Sequence, residues 1–108
     1  MSTGPDLPAI RARLLARYAE LGGDIARLET QMDAPLDADF AEQANEIEEL
    51  ETMEALESGK LAEQAAIRAA LDRMARGLYG ICEQCGGEIA PARLAALPTA
   101  VRCIACAS

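Results

Sequence analysis

The sequence has no histidine and no tryptophan, and its aromatics amount to one phenylalanine and two tyrosines. Histidine is the usual acid–base group near neutral pH and a common ligand of catalytic metals. Its absence excludes a histidine-ligated catalytic metal. With no nucleophile–base arrangement and no phosphate-binding glycine loop either, the expectation is a protein that is not an enzyme. At 3% aromatics in 108 residues, large side chains are too few for a deep globular core, and a helical fold stapled by a metal is expected. Positive charge is scarce as well: 10 basic residues face 18 acidic ones, for a formal net charge of −8. Phosphate backbones repel such a chain. Direct sequence-specific DNA binding is therefore not expected, and a protein partner with a basic cavity or surface is. The first ten residues, MSTGPDLPAI, hold neither the basic stretch nor the apolar core of a signal peptide. No apolar run approaches the ~18 residues of a membrane span. The expectation is a cytoplasmic monomer that does not engage a membrane.

What is abundant is alanine, leucine and glutamate, all strong helix formers. Residues 1–6 read as a disordered N-terminus. Beyond them Leu7, Leu14, Leu21 and Leu28 recur every seven residues. Tyr18, Ile25 and Met32 form a second such series, offset by four, with Arg11 in the remaining position. This is a coiled-coil seam on a helix over 7–32, with Gly22 and Gly23 away from it. Pro35 ends that helix, and a second opens at Phe40 and is predicted to run to about Gly77. Phe40, Ala44, Ile47, Leu50, Met53 and Leu56 mark the apolar face of its first half. Leu61, Ile67, Leu71, Met74 and Leu78 mark the second. The halves are out of phase, which predicts a kink around Glu57, Ser58, Gly59 and Lys60. Two striped helices joined by a short turn predict a mainly α fold: an antiparallel coiled-coil hairpin over 7–77, with its tip at 33–42.

Residues 78–108 read as a separate small module. Cys82 and Cys85 form one Cys-x-x-Cys pair and Cys103 and Cys106 another, 17 residues apart, with no other cysteine in the chain. Each short spacer lets two thiolates point at one ion from a tight turn, and two such turns supply the four tetrahedral ligands of a structural Zn²⁺. A thioredoxin-type redox pair would need a βαβ pattern, which is not visible, and two disulfides would need an oxidising compartment. Gly86 and Gly87 follow the first pair, where a metal-binding turn needs positive φ. Pro91 opens one or two helical turns that Pro98 stops.

Asp33, Asp37, Asp39 and Glu42 cluster at the hairpin turn. Asp39 and Glu42 fit a capping box, with Asp39 as N-cap and Glu42 at the third helical position. The later acids Glu46, Glu48, Glu49, Glu51, Glu54 and Glu57 read as a solvated face without a specific site.

The segment LYGICEQCGGEIAPARLAALPTAVRCIAC resembles the zinc-finger signature of the DksA/TraR family of bacterial RNA polymerase-binding regulators. Tyr79 and Gly80, Cys85 and Gly86, Ile89, Arg93 and Leu94, Pro98 and both cysteine pairs fall where that signature has them. Asp39-Phe-Ala-Glu42-Gln-Ala44 resembles the family's tip motif Asp-x-x-Asp-x-Ala, with Glu42 in place of the second aspartate. The resemblance implies one structural Zn²⁺ and binding to the RNA polymerase core. It implies that the coiled coil enters the secondary channel, with Asp39, Glu42 and Ala44 as the contacting tip. Positions that resemble the family's residues for the alarmone ppGpp are Ala66, Leu97 and Ala107, none able to pair with phosphate, so action without a composite ppGpp site is expected. A zinc-thiolate redox-sensing switch and a zinc-stapled coiled-coil adaptor for another protein stand as the alternative functions.

Overall fold

Asp6 begins the helical part of the chain, its carboxylate accepting a hydrogen bond from the Ala9 amide at 3.2 Å and so capping a helix start. In the computed structural model, which describes residues 4–33 and 40–107 (for 40–44 the backbone alone), helix α1 spans Leu7–Met32. Helix α2 spans Phe40–Ala75 and a short α3 spans Pro91–Ala96. Among the described residues there is no strand, only an isolated antiparallel bridge between Ile81 and Glu88. No helix is long and apolar enough to cross a membrane among those residues. The chain divides into two units, one of residues 1–18 with 65–108 and one of residues 19–64.

In the 19–64 unit the two helices run antiparallel. Gly22 lies beside Gln64, Asp24 pairs with Lys60, and Glu29 interacts with Glu57, so positions fall along α2 as they rise along α1. Leu21 and Ile25 are buried from α1. Glu46, Leu50, Met53, Glu57, Lys60 and Gln64 of α2 lie inward, spaced alternately by four and three residues, and Glu63 is half-buried beside them. This corrects the apolar face read from sequence. Ile47, Leu56 and Leu61 are exposed, at 46%, 51% and 46%. Polar residues occupy the seam instead, and α2 continues as unbroken helix through 57–60. The shift of apolar phase marks a polar stretch of the seam, not a break in the helix.

These inward polar groups have partners. Lys60 Nζ lies 3.1 Å from Asp24 Oδ2, and Arg27 pairs with the other oxygen of Asp24. Gln64 is buried, and no buried side-chain nitrogen or oxygen among the described residues lacks a hydrogen bond. Gly22 belongs to this contact rather than away from it: a Cβ there would meet Gln64 Nε2 at 3.5 Å.

Glu57 is the seam residue with a conflict. Burial, then a hydrogen bond with Glu29, then repulsion from Glu29 and Glu54 raise its carboxyl above the ordinary 4.5. A raised carboxyl favours the folded state while protonated, and that contribution fades as pH rises through the folded-state value. Glu57→Gln should therefore raise the Tm at neutral pH, and the difference should close at about pH 4, below the ordinary 4.5. Melts of both proteins across that range check it; a gap that stays constant contradicts it.

In the other unit, α1 contributes Ile10, Leu14, Arg17 and Tyr18 inward and α2 contributes Ile67, Ala70, Leu71 and Met74. Arg68 donates to the Tyr18 hydroxyl at 2.9 Å and lies over its ring at 5.8 Å. The seam of α1 follows Leu14, Tyr18, Leu21, Ile25, Leu28 and Met32 as expected, but at its start it takes Ile10 and leaves Leu7 and Arg11 exposed. Arginines hold the C-terminal segment to the helices. Arg73 donates to the carbonyls of Leu78 and Ile81, and Arg13 Nη1 to that of Ala95 at 2.6 Å.

Charge follows the same division. Residues 19–64 carry fourteen acidic and two basic side chains, and the remainder four acidic and eight basic, which together make the chain's 18 and 10. The 19–64 unit is thus strongly negative and the other, apart from any metal site, positive.

Candidate metal centre

The α2 helix ends at Ala75, two residues before the predicted Gly77, and the chain turns toward the first cysteine pair. Gly80 adopts φ 85°, and its carbonyl accepts from the Ile89 amide at 2.7 Å. The Cys82 amide donates to Gly87 O at 2.7 Å, and the Gly86 amide to Cys82 O at 2.9 Å. These bonds close a tight loop in which Gly86 has φ 75°, a region open to glycine at little cost. In the second loop the Cys106 amide donates to Cys103 O at 3.0 Å. The loops are tied together by the Glu83 amide on Val101 O at 2.8 Å and by Arg102 Nε on Glu83 Oε1 at 3.1 Å.

Under the loops lies a small core of Cys82, Ile89, Leu94 and Ala100, flanked by Tyr79, Cys103 and Cys106. Helix α3 supplies Leu94, fully buried, and starts with proline where no amide hydrogen is needed. The Tyr79 hydroxyl donates to Pro98 O at 2.8 Å, and burial raises its ionisation above the ordinary range.

All four cysteine sulfurs lie within 4.8 Å of one another. Cys85 Sγ and Cys103 Sγ are 3.8 Å apart. Sulfurs around a tetrahedral Zn²⁺ at ~2.3 Å stand ~3.8 Å from each other, so the donor set fits this ion. Amide hydrogens point at the sulfurs, from Cys85 to Cys82 Sγ at 3.5 Å and from Gly87 to Cys85 Sγ at 3.4 Å. Such donors stabilise thiolates. Amides of Cys85 and Cys103 lead in lowering the Cys82 thiol to about 6. Contacts with the sulfurs of Cys103 and Cys82 lead in raising Cys106 to about 12. Four thiols this close cannot all ionise without a cation among them. A bound Zn²⁺ would hold all four as thiolates and cross-link the two loops, with no open position for water.

Of the other candidate residues, Asp39 lies outside the described residues. Glu42 and Ala44 belong to the α2 backbone, their side chains outside the description. The sequence reading missed Arg13 and Arg73 as ties between helices and module. The composition carried no sign of them, because their acceptors are backbone carbonyls.

Residues 77–108 match the prokaryotic dksA/traR C4-type zinc finger, and residues 10–74 match the DnaK suppressor protein-like N-terminal domain. The chain belongs to the DksA/TraR family. Its C-terminal module is therefore a C4-type zinc finger, and its cofactor is one zinc ion. The structure of transcription factor DksA2 from Pseudomonas aeruginosa is similar, with a TM-score of 0.75 and 30% identity, covering 91% of this chain and 77% of that one. An uncharacterized protein of Aquifex aeolicus (strain VF5) is 36% identical over 97 residues, which are 90% of this chain and 66% of that protein. Family membership accounts for both halves of the molecule, helical hairpin and four-cysteine module alike.

Proposed function

We propose that the chain is a non-catalytic transcription regulator that binds the RNA polymerase core and inserts the tip of its hairpin, residues 33–42, into the secondary channel. Asp39, Glu42 and Ala44 act at the tip, and residues 78–108 form the zinc-bearing base with Cys82, Cys85, Cys103 and Cys106 as ligands. The observation that carries this reading is the charge division. A segment with fourteen acids against two bases suits a cavity lined by basic groups and metal, while repelling phosphate backbones. The similarity to a protein described as a transcription factor supports it.

Ala66 and Leu97 are exposed, and neither they nor Ala107 can pair with phosphate. The regulator should therefore act without a composite ppGpp site. The test is a titration of core RNA polymerase with the labelled full chain. Binding is expected, with an association rate that falls as salt rises from about 50 to about 200 mM. On a polymerase whose own ppGpp site is disabled, ppGpp should leave the chain's effect on transcription unchanged. Absence of binding would overturn the function, and strong ppGpp enhancement would overturn the alarmone-independent reading.

A further inference from the structure

The two halves of the cysteine cluster are held in different ways. The first loop is closed by its own backbone: the Cys82 and Gly86 amides bond within it, the Ile89 amide bonds back to Gly80 O, and Cys82 is 1% exposed. The second loop has, among the described residues, one backbone bond of its own, from the Cys106 amide to Cys103 O. The run that leads into it is held from outside instead, at four carbonyls. Arg13 of α1 donates to Ala95 O at 2.6 Å and the Tyr79 hydroxyl to Pro98 O at 2.8 Å. The Glu83 amide donates to Val101 O at 2.8 Å, and Arg93 Nε to Arg102 O at 3.0 Å.

Three of these donors belong to the module itself. Arg13 does not: it stands on α1, 82 residues from its acceptor. Ala95 lies in the last turn of α3, whose Leu94 is fully buried in the module core with Cys82. Carbonyls of a last turn have no partner within their helix, and the guanidinium supplies one with a charge-assisted bond. Without that bond the start of the run from 95 to 102 comes free, and Cys103 and Cys106 follow directly on its end.

We infer that Arg13 is a positioning residue of the metal centre: from the hairpin it latches the second cysteine loop, the half of the centre that opens when zinc is exchanged. The coupling is reciprocal, since a bond that steadies the loop for the ion is in turn steadied by the ion. Retention of zinc thus depends on a helix that carries none of its ligands.

The test follows transfer of zinc from the full zinc-bound chain to an excess of a chromophoric chelator under reducing conditions. Arg13→Gln should release zinc about fivefold faster or more, and Arg13→Lys should stay within about twofold of wild type, because an ammonium can still donate to the carbonyl. Hydrogen exchange on the same zinc-bound proteins supplies a readout that general loosening would not give. Amides from 99 to 106 should exchange faster in Arg13→Gln, while those of 80–89 and of α2 keep their wild-type rates. Arg11→Gln removes a charge from an exposed position on the same turn of α1 and should change neither readout. Unchanged release from Arg13→Gln would overturn the latch. Equal acceleration by Arg11→Gln would assign the effect to lost positive charge and overturn the bond to Ala95 as its cause. Faster exchange spread evenly over both loops would overturn the second loop as the half that opens.

Discussion

Stripping the metal should unfold the C-terminal module. A strong chelator is expected to remove one zinc per chain and to lower the Tm by roughly 10 °C or more, since structural zinc contributes on the order of 10 kcal/mol to a small module. The module has little else: four buried residues, one of them a cysteine, form its core. Cys106→Ser should behave like the chelated protein, because the three remaining sulfurs leave one corner of the tetrahedron unfilled. Acid should do the same more gradually. Zinc requires thiolates, and protons compete with the ion for the four sulfurs as pH falls. Metal analysis alongside melts from neutral to acidic pH checks all three. Protein purified under reducing conditions without zinc, or a melt that chelation does not move, would refute the assignment. Helix α2 should lose structure only at its end, where Arg73 donates to Leu78 and Ile81 carbonyls that the collapsed module would no longer present.

The second large effect is expected at the tip. Asp39→Asn combined with Glu42→Gln removes two charges and keeps side chains able to cap the start of α2, which begins at Phe40. If these carboxylates act on the polymerase rather than hold the chain to it, the double variant should bind core enzyme within about threefold of wild type. Its effect on open-complex lifetime should be lost almost completely. A variant that shifts that lifetime as wild type does would leave Asp39 and Glu42 as helix caps and nothing more. Reading affinity and lifetime in the same experiment separates anchoring from action.

Much of this molecule was legible in the sequence, and the parts that were not share a cause. The seven-residue recurrence of leucines marked α1, and proline and glycine marked its neighbours, since local preferences set helix ends directly. The two cysteine pairs marked the metal centre because a thiolate tetrahedron tolerates few other spacings. The α2 seam was read correctly at Leu50, Met53, Ile67, Leu71 and Met74 and misread at Ile47, Leu56 and Leu61, where apolar side chains were taken to be inside. Glu57, Lys60 and Gln64 lie inward since α1 offers them Glu29, Asp24 and the gap at Gly22. Leu56 and Leu61 are left outside. Partners on the other helix, far away in sequence, decide such positions, and composition within one helix does not reveal them. The same holds at the start of α1, where Ile10 displaces Arg11 from the seam.

The Asp24–Lys60 pair has a consequence for how the two helices find each other. Sliding α2 by one heptad would set Lys60 against Arg17 with Asp24 beside Met53, or Lys60 against Gln31 with Asp24 beside Ile67. Either slip takes Lys60, whose side chain is 27% exposed, away from its counter-ion, at a cost on the order of 1–3 kcal/mol, and the first adds a repulsion between two cations. The pair thus acts as a register key of the kind single polar residues provide in coiled coils. With registry set from within the helices, residues 34–39 are relieved of that task, and the chemistry of the tip can be exchanged without realigning the arms that carry it.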